Sequence, residues 1–499
     1  MIRFLKYAAV LVAFVAIAGF GTYKYKNATP PQLKDPNYFA YYKDHDPVPE
    51  GRVGIFISHL IMPETMRTID FFTLAQKSLQ YIPWPISNIA AADRGIVLLD
   101  PDRYYEFEEF TPNRLVDPEG NDRDLDGVPY VDKYRKNEVA WVPPRENFHL
   151  DHGYFLLPTR KGGMPALAGK LINKARHYYY TPGKGSVQGT IPHEAGMRII
   201  VDAAMDRMHE RYGPIPYRWI TAEDFGRARA ELFSLLDEGI DTVILSAPAP
   251  VYSHHEEFNG AFKHAMHYIH EWEHDNNKEI KVIMTPQLGD FEITQQTWVN
   301  MLRDRLDTIP PGSSVKVVMS VHGMPWDLVP NEAWIELSPP YVTGTLAALT
   351  EVLESYDFGR TEIVQTQDHF ADPHNNPNGT YLSTNEGFWD GVRDGFDYAI
   401  NIPIEFFAEN TDTLYSHAMF NFEFFPTYDV YEPIDYPDPS VPYTREFNVE
   451  GTRVIYNGVP AGNYNKPIIE AYSQALDSIL SQGLKPVSVV ATAESDSTS

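Results

Sequence analysis

The chain has 499 residues, 43% of them hydrophobic and 22% charged, which gives ample length and apolar content for a large packed body and excludes disorder of the whole. Asp and Glu total 68 against 41 Lys and Arg, a formal charge of −27 that repels phosphate backbones and argues against nucleic acid as a partner. With no cysteine, disulfides, iron–sulfur clusters and thiolate zinc sites are excluded together, so any metal must be met by His, Asp, Glu or carbonyl oxygen.

Along the chain, the first feature is an uncharged run from Tyr7 to Tyr23, preceded by Arg3 and Lys6. Its 17 residues reach the lower limit for a bilayer-spanning helix, and Ala16-Ile17-Ala18 has the A-x-A form of a signal cleavage site. Residues 1–26 are therefore expected to be a signal anchor or signal peptide. The N-terminal helix would tether the protein to a membrane with its body on the periplasmic or extracellular side, or release it to the periplasm if cleaved. Residues 27–50, rich in Pro, Tyr and Asp and without period, are expected to be a linker.

From Arg52 onward, β-branched or apolar runs alternate with helical patterning. Strands are predicted at Val53–Ile57, Thr242–Ser246, Lys281–Met284, Val315–Met319 and Tyr398–Ile402. Helices are predicted at Glu194–Arg211, Glu223–Asp237, Asn259–His274, Thr294–Asp307, Val342–Tyr356, Glu386–Gly395 and Lys466–Leu480. This alternation implies parallel sheets covered on both faces. Two α/β domains are expected, at 51–250 and 251–430, followed by a helical segment 431–486 and a disordered tail 487–499. The stretch at about 100–190 lacks the alternation and is expected to be an insertion in the first domain. It holds Asp122, Asp124, Asp126 and Asp132 in a D-x-D-x-D-G pattern, the start of an oxygen-ligand calcium loop in which Gly127 makes the turn.

Two pairs of segments echo one another. VGIFISHLIMP (Val53–Pro63) and VKVVMSVHGMP (Val315–Pro325) each join an apolar strand to a Ser, a His and Met-Pro. TVILSAPAPVYSHHEEF (Thr242–Phe258) and YAINIPIEFFAENTDTL (Tyr398–Leu414) each join a strand to a Pro and a polar run. Ligands of open parallel sheets bind beyond the carboxyl ends of the strands, which gathers His59, His254, His255, His322, Glu409 and Asp412 around one cleft. Neutral imidazole and carboxylate are both bases and ligands, so such a set supports proton abstraction together with binding of a divalent cation. On the helix Asn259–His274, His264, His267, His270 and His274 fall on one arc opposite Phe262, Ala265, Met266 and Ile269. They form an exposed face on which His264 and His267 are candidate ligands near the cleft.

These segments resemble the ferrochelatase and anaerobic cobaltochelatase superfamily of tetrapyrrole metal chelatases. VVMSVHGMP is similar to the family motif that carries the catalytic His, which maps onto His322. PIEFFAENTDTLY is similar to the second active-site segment, with Asn410 at the family His and Asp412 at the family Glu. ERYGPIPYRW, a helix and TVILSAPAPVYS follow the family's order of elements, so the likeness runs from Arg211 to Tyr415. His59 resembles the first-strand His of the small cobalt and nickel chelatases, and His254 and His255 resemble their second. The resemblance implies two similar Rossmann-like, chelatase-type domains whose parallel sheets face a central cleft. It implies an enzyme that inserts or removes a divalent metal in a tetrapyrrole, with His322 as base or metal ligand and Asp412 as partner carboxylate. Fe, Co or Ni would be substrate, and calcium a structural ion. The alternative is a non-catalytic tetrapyrrole- or metal-binding protein on the same fold.

Overall fold

A strand covered on both faces must be apolar along its whole length, whereas an edge strand can keep a polar face, and this difference organises the fold. The computed structural model describes residues 15–25, 37–59, 192–221, 225–323, 326, 329, 331–367, 376, 378–408 and 444–487, with short strands between 96 and 158. Residues 15–25 are helical and exposed. Among the described residues no helix is long and apolar enough to cross a membrane.

Helix α1 (Tyr38–Asp44) precedes β1 (Val53–His59). Then come β2 (Ile96–Leu99), β3 (Glu106–Phe107), β4 (Leu115–Val116), β5 (Ala140–Val142) and β6 (Tyr154–Pro158). Strands β2-β6-β5 form an antiparallel sheet and β3 pairs with β4, as befits an insertion outside the α/β alternation. The expected calcium residues Asp122, Asp124, Asp126 and Asp132 lie outside the described residues. The first half continues with α2 (His193–Tyr212), β7 (Tyr217–Thr221), α3 (Phe225–Leu236), β8 (Thr242–Ser246), a π-helical segment His254–Phe262 running into α4 (Lys263–Asn276), and β9 (Lys281–Met284). The second half contains α5 (Gln295–Leu306), β10 (Ser314–Val321), α6 (Ala333–Glu354), β11 (Arg360–Gln367), α7 (Thr384–Arg393), β12 (Tyr398–Pro403), β13 (Thr444–Val449), β14 (Thr452–Asn457) and α8 (Asn465–Gly483).

The first sheet has the order β7-β1-β8-β9 and is wholly parallel. The second has the order β11-β10-β12-β14-β13, parallel except for β13 against β14. In both, the first strand of the half lies between the second and the third, so each sheet reverses its winding beside that strand. The two crevices are therefore at the carboxyl ends of β1 and β8 and of β10 and β12, the strands of the two echoing segment pairs. The mixed α/β architecture with two parallel-dominated sheets agrees with the sequence expectation.

Sheet membership differs from the expected domain limits. Strand β9 pairs with β8, Thr242 opposite Lys281, so the first sheet reaches Met284 and not only residue 250. Strands β13 and β14 bring the segment after 431 into the second sheet. Their two-residue turn, Glu450-Gly451, has φ of 49° and 98°, the double positive φ that matches strand twist in a tight hairpin.

The two sheets share one core. A continuous buried cluster joins Ile55 and Ile57 of β1 and Val317 and Met319 of β10 to Met205 of α2, Trp298 of α5, Leu349 of α6 and Leu476 of α8. Each such side chain contributes about 1.5–3 kcal/mol when fully buried. Helix α8 also bonds to the first sheet, where the buried Tyr472 hydroxyl lies 3.0 Å from Ser246 Oγ at the end of β8.

Candidate functional site

At the first crevice, β1 ends in His59 and β8 runs through Ala247-Pro248-Ala249-Pro250 to Ser253. The Ser253 side chain caps the π-helical segment by accepting the Glu256 N–H. Glu257, one turn in, is buried. Its Oε2 accepts the Ser253 N–H at 2.8 Å and lies 3.3 Å from Ser253 Oγ, which leaves Oε1 to face His59 Nδ1 at 3.7 Å. Burial above all, then the charges of Glu256 and Glu332, push the Glu257 carboxyl well above its ordinary range, against the lowering effect of the Ser253 N–H. An imidazole and a buried carboxylic acid thus stand side by side at the mouth of β1.

His254 is held differently. Its Nδ1 accepts the Ala333 N–H at 2.8 Å, so the neutral ring carries its proton on Nε2. Burial lowers its pKa to about 4. Phe39 meets the ring edge-on at 5.6 Å. With one nitrogen accepting and the other protonated, the ring is placed to support structure and is not presented as a ligand in this state.

At the second crevice His322 follows β10, and its ring packs edge-to-face on Phe406 at 5.6 Å. Four residues on, Trp326 stacks on Trp334 at 4.5 Å and 14° between planes. Trp334 Nε1 donates to Glu405 Oε1 at 3.2 Å, just past the end of β12. Buried amides brace this end of the sheet: Asn401 Nδ2 donates to Ser320 Oγ at 3.0 Å and Asn457 Nδ2 to the Asn401 carbonyl at 3.1 Å.

The first turn of α6 touches both crevices. Glu332 caps α6 by accepting the Trp334 N–H, and its other oxygen accepts the His254 N–H across the gap between halves. Ala333 donates to His254, while Trp334 reaches Glu405. Three consecutive residues therefore fix the loop after β8 against the loop after β12.

Of the residues expected from sequence, His59 is the last residue of β1 and His322 follows β10 directly, whereas His254 opens the π-helical segment eight residues after β8. The His255 side chain, Glu409, Asn410 and Asp412 lie outside the described residues. On α4, His267, His270 and His274 are exposed and His264 half-buried, with Ala265, Met266 and Ile269 buried opposite, as the periodicity implies. His270 bonds to Glu273 at 2.8 Å. Among the described residues no three His, Asp or Glu side chains converge to hold a metal ion. Sequence reasoning missed Glu257, Glu332 and Glu405. Glu257 adjoins His254-His255 and reads as an ordinary first-turn acid. Glu405 carries only the weak signal of an acid directly after an apolar strand.

No protein family matches the sequence, and no curated protein is similar to it. Among solved structures the chain is similar to SirB from Bacillus subtilis with Fe3+, at 10% identity and a TM-score of 0.35, over 57% of this chain and 90% of that one.

Proposed function

We propose that the protein is a chelatase-type enzyme that inserts or removes a divalent metal, Fe, Co or Ni, in a tetrapyrrole. The observation that carries this reading is the similar placement of His59, last residue of β1, and His322, directly after β10, at the carboxyl end of the first strand of two like-wound sheets, in crevices bridged by one helix turn. Metallation removes two pyrrole protons, and two imidazoles of separate halves, one backed by the Glu257 carboxyl, are bases on which such protons can land. Asp412 supplies the partner carboxylate in this reading. Its side chain is one methylene shorter than Glu, which leaves room for an ion, a water or a neighbouring imidazole.

The test is purified residues 27–499 mixed with free-base tetrapyrroles and each of Fe2+, Co2+ and Ni2+, read by absorption spectra. Wild type should metallate at least one macrocycle. His322→Ala should abolish turnover with an unchanged fold, and Asp412→Ala should slow it by less. A second reading, binding without catalysis, is favoured by the Nδ1 bond that occupies His254 and by Asn410 at the position of the family His. It stands if wild type binds the macrocycle with His322-dependent spectra and never metallates it.

The body is proposed to lie outside the cytoplasm, tethered by residues 1–26, with calcium on Asp122, Asp124, Asp126 and Asp132. An inactive alkaline phosphatase fused at the C-terminus would refute the topology.

A further inference from the structure

We propose that His270 and His274, on the last turns of α4, form a surface site for a divalent first-row metal ion of the Ni2+, Cu2+ or Zn2+ class, held by their two Nε2 atoms. The site lies roughly 20 Å along the helix from His254, at about 1.5 Å per residue. It is separate from the crevices and does not rest on the tetrapyrrole reading.

Residues four apart on a helix are neighbours, with Cβ atoms about 5–6 Å apart, a spacing at which two imidazoles can share one ion. Both side chains are open to solvent, 63% and 88% exposed, so a hydrated ion can reach them. What sets them apart from histidines that merely face water is the engagement of Nδ1. His270 Nδ1 lies 2.8 Å from Glu273 Oε2, and His274 Nδ1 lies 3.2 Å from Asp275 Oδ1. An ionised carboxylate only accepts, so each neutral ring carries its proton on Nδ1 and keeps its lone pair on Nε2, the form in which imidazole ligates. A ring N–H given to a carboxylate is also the usual support of a metal-bound His. Glu273 is itself held, because its other oxygen accepts the Ile280 N–H at 2.7 Å. The platform is rigid: Ile269 and Trp272 are buried under α4, and Trp272 Nε1 donates to Asp237 at 2.9 Å. Charge favours a cation twice, through the carboxyl end of the helix and through the net −27 of the chain. Among the described residues no third His, Asp or Glu completes a three-ligand group, so water fills the remaining positions. A shell of imidazole and water selects these ions over Mg2+ and Ca2+, which favour carboxylates and carbonyls.

The test is equilibrium dialysis of the full-length protein, with no macrocycle present, against micromolar Ni2+ and separately Zn2+, counting bound metal. Wild type should hold one equivalent more than His270→Ala or His274→Ala. It should hold the same number as His267→Ala, whose ring lies against Tyr268 at 5.6 Å. Glu273→Gln keeps an acceptor for Ile280 but no longer accepts from His270, and should bind that equivalent about 10-fold more weakly. Equal counts in wild type and either of the first two variants overturn the proposal, as does the same loss in His267→Ala or undiminished affinity in Glu273→Gln. Should a variant not fold, wild type labelled with 15N-histidine decides. Zn2+ must shift the Nε2 signals of His270 and His274 together, and two unmoved signals refute the site.

Discussion

The Glu332 carboxyl accepts the backbone N–H of His254, so a residue that caps a helix of the second half also holds the loop after β8 in the first. The side chain is fully buried, and both of its oxygens are used. Glu332→Ala removes the cap of α6, worth about 1 kcal/mol, and strands the buried His254 N–H, worth about 1–3 kcal/mol more. A loss of about 2–4 kcal/mol is expected in urea unfolding. Glu332→Gln keeps both acceptor positions on one oxygen at best and should lose less. A Glu332→Ala protein as stable as wild type would show that the bridge carries no weight.

Gly289 marks the other close approach between the halves. A Cβ there would meet the Pro250 carbonyl and lie 2.8 Å from Tyr341 Cβ of α6, and backbone cannot yield as a flexible side-chain end can. Tyr341 is itself fixed by bonds from Trp298 Nε1 and to the Ile404 carbonyl. Gly289→Ala should therefore cost about 1–3 kcal/mol by overpacking, measured as a lower midpoint at unchanged m-value. An unaltered midpoint would mean that the halves separate there without cost.

Two titrating groups at the first crevice pull stability in opposite directions with pH. Burial lowers the His254 pKa to about 4 from an ordinary value of 6.5, so its share of stability is full above 6.5 and is lost as pH falls toward 4. Burial raises the Glu257 carboxyl well above 4.5, so the folded state holds a proton that the unfolded chain has released, and stability declines as pH rises from 4.5. Above pH 6.5 the His254 share no longer changes. Glu257→Gln, which cannot ionise, should gain on wild type as pH rises from 4.5. His254→Asn should flatten the fall between pH 6.5 and 4. Stabilities of wild type and Glu257→Gln that stay parallel as pH rises from 4.5 would refute the assignment of Glu257 as a neutral buried acid.

What the sequence disclosed follows the same physics. Thr242–Ser246 was legible to the residue because it is a fully buried parallel strand, and Lys281–Met284 because, although at the sheet edge, it is covered by α1 and its Val282-Ile283-Met284 run is buried. β7 (YRWIT), β11 (RTEIVQTQ) and β13 (TREFNV) were not, because each is an edge strand whose outer face is polar. Helix α6 was expected to start at Val342 but starts at Ala333, with Pro339 and Pro340 inside it. The proline pair hid the very turn that bridges the crevices. His59 and His322 stood out because a polar residue closing an apolar run has no packing role to explain it. Glu257 and Glu332 did not, since an acid in a first turn or at a cap needs no functional reason.

Ahead of the body, Tyr38–Asp44 packs on the first crevice and is not a free linker. Residues 27–50 show no period, yet Tyr38–Asp44 folds as α1, and Phe39 is buried against His254 and Phe258 at 5.6 and 5.5 Å. The Tyr41 hydroxyl donates to the Val282 carbonyl at 2.6 Å, and His45 Nε2 accepts the Met284 N–H at 3.1 Å, so α1 covers β9, the edge of the first sheet. Lys43 reaches Glu336 of α6 at 3.1 Å. This exposed pair adds at most about 1 kcal/mol, whereas truncating a buried Phe costs about 3–5 kcal/mol. Phe39 is therefore the anchor, and the outcome divides by where the chain is cut. A chain that begins at Asn37 should melt with the full-length protein. One that begins at Gly51, or carries Phe39→Ala, should melt well below it, and its His254 ring, open to water, should titrate closer to 6.5 by NMR. If the chain beginning at Gly51 melts with wild type and its His254 still titrates near 4, α1 is ornament and the crevice is built without it.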